Sequence, residues 1–134
     1  MNQVTGIISE IQTCEDLSLV KVITSNNITI TSLVMGDDRS VNKLTIGKPA
    51  KLNFKETAVM ISIIPELKIS VQNRPPCIIH SLNIGDILGQ VDLLFNGKMI
   101  SSIITANACR QLNLKINDPV TALIKTNEIS LSAE

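Results

Sequence analysis

The chain has 134 residues, enough for one ordinary domain or two very small ones. Hydrophobic residues make up 44% of it, ample for a packed core and too many for a disordered chain. Its 12 basic and 12 acidic residues cancel, which argues against nucleic acid as a partner, because neutralising a phosphate backbone draws on a basic excess.

In chain order, residues 4–11, 17–24 and 28–34 are β-rich runs bounded by polar residues, with Asn26-Asn27 as a tight turn between the last two. The polar stretch 36–43 has room for about two helical turns. Strands over 49–56 and 58–62 complete the first unit, and Pro65-Glu66-Leu67-Lys68 reads as a linker. Pro75-Pro76 stiffens the start of the second unit.

The second half repeats the first. A shift of 70 residues lays Ile30-Thr31-Ser32-Leu33-Val34 on Ile100-Ser101-Ser102-Ile103-Ile104, and Leu44, Ile46 and Pro49 on Leu114, Ile116 and Pro119. It also lays Lys55 on Lys125 and Ser62 on Ser132, while nearer the start one extra residue brings Gly6-Ile7-Ile8 onto Cys77-Ile78-Ile79. Asn96-Gly97 stands where Asn26-Asn27 stood and is the stronger hairpin signal, since both residues accept the positive φ of a type I′ turn. A short helix over 106–113 and strands over 119–126 and 128–132 come next. Five strands and one short helix in about 65 residues indicate a small Greek-key barrel of the oligonucleotide/oligosaccharide-binding (OB) type. The expected architecture is therefore all-β: two tandem five-stranded OB-like barrels, residues 1–64 and 69–134, each with one short helix. Modules this small are marginal alone, so the two should pack together and assemble further through exposed apolar strand faces.

Aromatics are nearly absent, with no Trp or Tyr and only Phe54 and Phe95, so Ile, Leu and Val must build the core. Cys14, Cys77 and Cys109 form no CxxC pair, and with the single His80 they do not supply the four ligands of a structural zinc site. Reduced thiols in a cytoplasmic protein are the expectation, and so is no membrane partner, since no 18-residue apolar run or charged-then-apolar leader is present.

Several of these segments resemble the molybdate/tungstate-binding Mop domains, also called TOBE domains. The opening Asn2-Gln3-Val4-Thr5-Gly6-Ile7-Ile8 is similar to the family's Asn-Gln-x-x-Gly start. Ile100 to Thr105, the short helix after it, Leu112-Asn113-Leu114, and Val120-Thr121-Ala122-Leu123-Ile124-Lys125-Thr126 are similar to its second signature. Ser70-Val71-Gln72-Asn73 resembles the Ser-Ala-Arg-Asn that precedes many copies. The resemblance covers essentially the whole chain as a tandem pair; each motif is short and apolar, and their shared order in two copies is the more specific signal.

The resemblance implies a bound molybdate or tungstate and no other cofactor, with oxyanion contacts at Ser70, Gln72, Thr105, Ala108, Lys125 and Thr126. It also implies sites formed between neighbouring modules of a homo-oligomer, a trimer being favoured for tandem forms. The residues support such chemistry on their own terms. A tetrahedral dianion already surrounds its metal with oxygens, so it is held by hydrogen donors: hydroxyls, an ammonium, and N–H groups at a helix start. Thr105 ends a strand just before the short helix, and Lys125 and Thr126 lie near the end of the next strand.

This chain departs from the family at two of these positions, with Gln72 for a common Arg and Ala108 for a common Ser, removing a bidentate guanidinium and a hydroxyl. The first copy departs further: Met35 replaces Thr105, Asp37 and Asp38 come after it, and Lys55, the weaker candidate, is followed by Glu56. Carboxylates there satisfy the helix dipole and repel a dianion, so the first copy's own helix start is expected to be empty.

Plainer roles compete at each position. Thr105 is also a good N-cap, Lys125 a solvated charge, Ser70 and Gln72 linker polars, Asp37-Asp38 a helix cap, Phe54 core rather than a stacking platform, and His80 structural. A nucleic-acid-binding OB protein is the alternative class, but the aromatics and basic groove it needs are missing. The regulatory domain of a molybdate-responsive regulator or transporter is another reading; no phosphate-binding Gly-x-x-x-x-Gly-Lys-[Ser/Thr] loop or helix-turn-helix accompanies the repeats. An enzyme ranks last, because one His and scattered Cys assemble no nucleophile–base pair.

Overall fold

A computed structural model describes residues 1–25, 27–35 and 44–133. The helix expected over 36–43 with Asp37 and Asp38, and Asn26 of the expected turn, lie outside the described residues.

Regular structure in the described chain is almost entirely strand: β1 (Asn2–Cys14), β2 (Leu17–Ile23), β3 (Thr29–Met35), β4 (Pro49–Phe54), β5 (Met60–Ser62), β6 (Pro76–Ile84), β7 (Leu88–Phe95), β8 (Lys98–Thr105), β9 (Pro119–Leu123) and β10 (Ser130–Ala133), with one short α-helix, α1 (Ala106–Gln111). These form two five-stranded antiparallel sheets, the all-β pair of OB-like barrels expected from the repeat. Along β1 the residues from Asn2 to Ile8 alternate buried and exposed, as a half-buried strand requires, whereas β3 and β9 bury consecutive residues. Asn96 and Gly97 both take positive φ (52° and 75°), as the β7–β8 hairpin needs. The strands expected over 49–56 and 119–126 end early, because Glu56–Ala58 and Thr126–Glu128 form 3-10 turns instead.

The two barrels exchange their last strands. The sheet orders are β10-β4-β1-β2-β3 and β5-β9-β6-β7-β8, so the final strand of each repeat completes the sheet of the other. Leu131 pairs with Leu52 in one sheet and Ile61 with Ala122 in the other, and the 70-residue shift maps each pair onto its counterpart. The irregularities correspond too: β1 bulges between Ile8 and Glu10 and β6 between Ile79 and Ser81, which places His80 at a bulge. Such a bulge bends a long strand so that it can pair on both sides of a closing barrel.

Because strands cross between the halves, the buried apolar residues form a single cluster that includes Val20, Leu52 and Phe54 from one repeat and Ile79, Leu93 and Phe95 from the other. The modules therefore pack on each other as the repeat predicts. Phe54 is core. Phe54 and Phe95 meet Ile30, Ile100 and Ile124 around a void of ≈ 10 Å³ at the junction, room for one water at most. Gly6 is obligatory at the β1–β2 contact: a Cβ there would lie 2.6 Å from both the Ile23 carbonyl oxygen and Val22.

Candidate functional site

The lead-in to the second repeat continues the alternation of β6 toward the N-terminus: Val71, Asn73, Pro75 and Cys77 are buried, while Ser70, Gln72, Arg74 and Pro76 face out. The Ile124 N–H donates to the Asn73 carbonyl (3.1 Å), an antiparallel bridge between this lead-in and the end of β9. Gln72 and Lys125 are the immediate neighbours of this bridge on its two segments, and the chain turns into a 3-10 helix at Thr126.

Ser70, Gln72, Lys125 and Thr126 thus line one cleft of ≈ 450 Å³, together with Ile69, Val71 and Leu19. Lys125 and Gln72 are exposed and Thr126 is half-buried. The polar lining comprises one ammonium, two hydroxyls and an amide, with no carboxylate among the described lining residues. Such a set suits a small anion that needs a few donors and no repelling charge. Leu19 comes from β2 of the other half, so the cleft lies where the two barrels meet. Nothing local in the sequence marks Leu19 for this position, which the crossing of the halves creates.

Thr105 and Ala108 do not line this cleft. Thr105 ends β8 opposite Leu88, and the Thr105 hydroxyl accepts the Ala108 N–H (3.1 Å), so it caps α1. The hydroxyl retains its own proton to donate, but the Ala108 N–H is committed to the cap. Beside them the β6–β7 turn presents Ile87, 78% exposed, whose carbonyl accepts the Ala106 N–H. Of the six expected contacts, one chain therefore gathers four in a single cleft and holds two elsewhere.

Lys55 lines a different cleft of ≈ 410 Å³, with Asn53, Met35, Asn127 and Glu128 among its walls. In this repeat Glu56 holds the sequence position of Thr126, and its carboxylate pairs with the amino group of Met1, itself a wall of the cleft. A hydrogen bond from that group holds the Glu56 carboxyl below its ordinary range. The two clefts correspond in sequence but not in charge, because carboxylates accompany Lys55.

Sequence reading missed one polar residue at the heart of this region, Asn73. A residue on the buried parity of the strand should be apolar or fully bonded, and Asn73 is fully bonded: its side chain accepts the Thr31 N–H and donates to the Thr31 carbonyl, each at 2.8 Å. Asn2 does the same to Ser101 at the opposite junction, again at 2.8 Å twice.

Elsewhere, Ser81 and Ser101 each donate a hydroxyl to Asp92 at 2.7 Å, and Gln90 adds its amide at 3.1 Å. The Ser101 bond above all holds the Asp92 carboxyl below the usual range, with weaker help from nearby His80. A serine bound directly to so weak a base is not activated as a nucleophile. Among the described residues, no group of three or more His, Cys, Asp and Glu is placed to hold a metal ion, and no helix is long and apolar enough to cross a membrane.

No family model matches the chain, and no curated protein matches it. Among solved structures it is similar to the cytoplasmic molybdate-binding protein ModG in a crystal form with molybdate bound, at 20% identity and a TM-score of 0.92 over 99% of this chain and 96% of that one. A molybdate-binding protein from Sporomusa ovata is also similar, at 27% identity and a TM-score of 0.43 over 44% of this chain and 88% of that one. The described part of the chain shares its overall fold with ModG.

Proposed function

We propose that this protein binds molybdate or tungstate as an intact oxyanion, for storage, homeostasis or sensing in the cytoplasm, and acts as a binding protein rather than an enzyme. The observation that carries this reading is the convergence of Lys125, Ser70, Gln72 and Thr126 on one cleft with no acidic wall among the described lining residues. A neighbour of the same fold, itself cytoplasmic and molybdate-binding, gives the anion its identity. Lys125 supplies the charge, the hydroxyls and the Gln72 amide supply directed donors, and the apolar Leu19, Ile69 and Val71 limit competing water.

In this reading the complete site spans two chains. Thr105 reaches the anion through the free proton of its hydroxyl from a neighbouring copy in a homo-oligomer, with a trimer favoured, and Ala108 stands beside it with its N–H held in the cap. Apolar ladders on the outer faces support assembly: Ile78, Leu94 and Met99 are exposed register partners across β6, β7 and β8, and Ile7 and Ile23 are exposed partners across β1 and β2. Contiguous apolar patches of this kind mark association surfaces. The repeat units 1–64 and 69–134 serve as two diverged modules, with Lys55 at most a weak second contact.

Calorimetric titration with molybdate, tungstate, sulfate and phosphate tests the proposal, and light scattering reads the assembly. Uptake of the two metal oxyanions in preference to sulfate and phosphate is expected. Absence of heat with either metal oxyanion, or equal affinity for all four, would overturn it.

A further inference from the structure

We infer that Asn73 is a positioning residue for the Lys125 cleft, through which the first repeat sets the geometry of a site built mostly from the second. The inference rests on the reading of that cleft as the anion site. Asn73 is 1% exposed and joins three segments at once. Its side-chain amide spans both backbone groups of Thr31 on β3, an edge strand of the other sheet. Its carbonyl accepts the Ile124 N–H at the end of β9. The lead-in carrying Ser70 and Gln72 ends at Asn73, and the segment carrying Lys125 and Thr126 begins next to Ile124.

The opposite wall hangs from the same point. Leu19 on β2 pairs with Leu33 on β3, two residues from Thr31. The Asn73–Thr31 clamp therefore sets the spacing between the Leu19 wall and the Gln72–Lys125 wall. Both clamped backbone groups lie on a strand edge, where water or another chain would otherwise compete for them. Releasing the amide lets the lead-in and the end of β9 drift from β3 together, and donors that must converge on one ion lose their common focus.

The pseudo-symmetry provides a matched control. Asn2 makes the same pair of bonds to Ser101 on β8 at the other junction, beside the Lys55 cleft. A merely structural role predicts that Asn73→Ala and Asn2→Ala behave alike. A positioning role predicts that both lower the urea midpoint, while only Asn73→Ala weakens molybdate, by roughly tenfold or more in calorimetry on the full chain. Amide exchange provides a readout that needs no ligand: Asn73→Ala should speed exchange at Ile124, whose N–H donates to the Asn73 carbonyl, by roughly tenfold, and Asn2→Ala should leave it unchanged.

Wild-type affinity in Asn73→Ala, or equal weakening by both substitutions, would overturn the inference. If the wild-type chain takes up no molybdate, the anion reading fails instead, and exchange at Ile124 alone decides whether Asn73 holds the two segments together. Should Asn73→Ala not fold, Asn73→Asp keeps the shape and the Thr31 N–H bond while losing the donor. Faster exchange at Ile124 in that variant supports the clamp, and unchanged exchange overturns it.

Discussion

The Ser32 hydroxyl donates to the Ile129 carbonyl at 2.6 Å, across 97 residues of sequence. Ser102 makes the corresponding bond to Val59 at the same distance. Each serine sits fully buried on an edge strand, and each acceptor lies just before the exchanged strand that completes that barrel. Closing each barrel thus depends on a contact between repeats. Truncating either hydroxyl leaves a buried carbonyl short of a partner, which costs about 1–3 kcal/mol. Ser32→Ala and Ser102→Ala should therefore lower stability by similar amounts in urea denaturation, and a negligible effect from either would show that the closure is sealed some other way.

The exchange of β5 and β10 makes the repeats interdependent. A fragment ending at residue 64 keeps β1 to β4 but lacks β10, and its β5 has no β9 to pair with. So small a unit buries too little surface to tolerate the loss. The fragment is expected to be either unfolded or a dimer in which β5 of each copy fills the β10 place of the other. Circular dichroism with light scattering distinguishes these states; a folded monomer would contradict the interdependence.

The two lysines at corresponding positions should differ in anion uptake. Lys125 faces neutral donors, whereas Lys55 shares its cleft with Glu128 and is followed by Glu56. Removing a charge-assisted bond costs about 1.5–3 kcal/mol, which corresponds to roughly a 10- to 100-fold loss of affinity. Lys125→Ala and Thr105→Val should show losses of that order by calorimetry, and Lys55→Ala little change. Equal losses from both lysines would sink the assignment to the second repeat.

The three thiols are unpaired, with Cys14 exposed and Cys77 and Cys109 buried. Burial pushes the Cys77 thiol up to about 12 from 9.0. A group raised in the folded state stabilises fully below its unfolded pKa, and that contribution is lost as pH climbs from about 9 toward 12, by about 1.4 kcal/mol per unit. Stability measured by urea denaturation should fall over this alkaline window, and Cys77→Ala should flatten the fall. A disulfide-exchange reagent at neutral pH should label Cys14 at once and the other two only on unfolding; fast labelling of two or more thiols in the native state would contradict the burial.

The sequence by itself determined the class of fold, the duplication and the faces of the strands. The 70-residue repeat says that one pattern is used twice, and Asn96-Gly97 says where a hairpin turns, because positive φ is a local property. The resemblance to Mop domains put Ser70, Gln72, Lys125 and Thr126 on a common short list, together with Thr105 and Ala108. Partner choice was beyond it. The strands β5 and β10 carry the same pattern, so alternation cannot say whether each closes its own barrel or its neighbour's; packing of the whole chain decided for the neighbour. The same crossing brought Leu19 to the cleft, gave Asn73 its partner Thr31, and left Thr105 outside the cleft that Lys125 lines. Periodicity fixes which face of a strand meets the core, while the identity of what lies across from it is a property of the assembled tertiary structure.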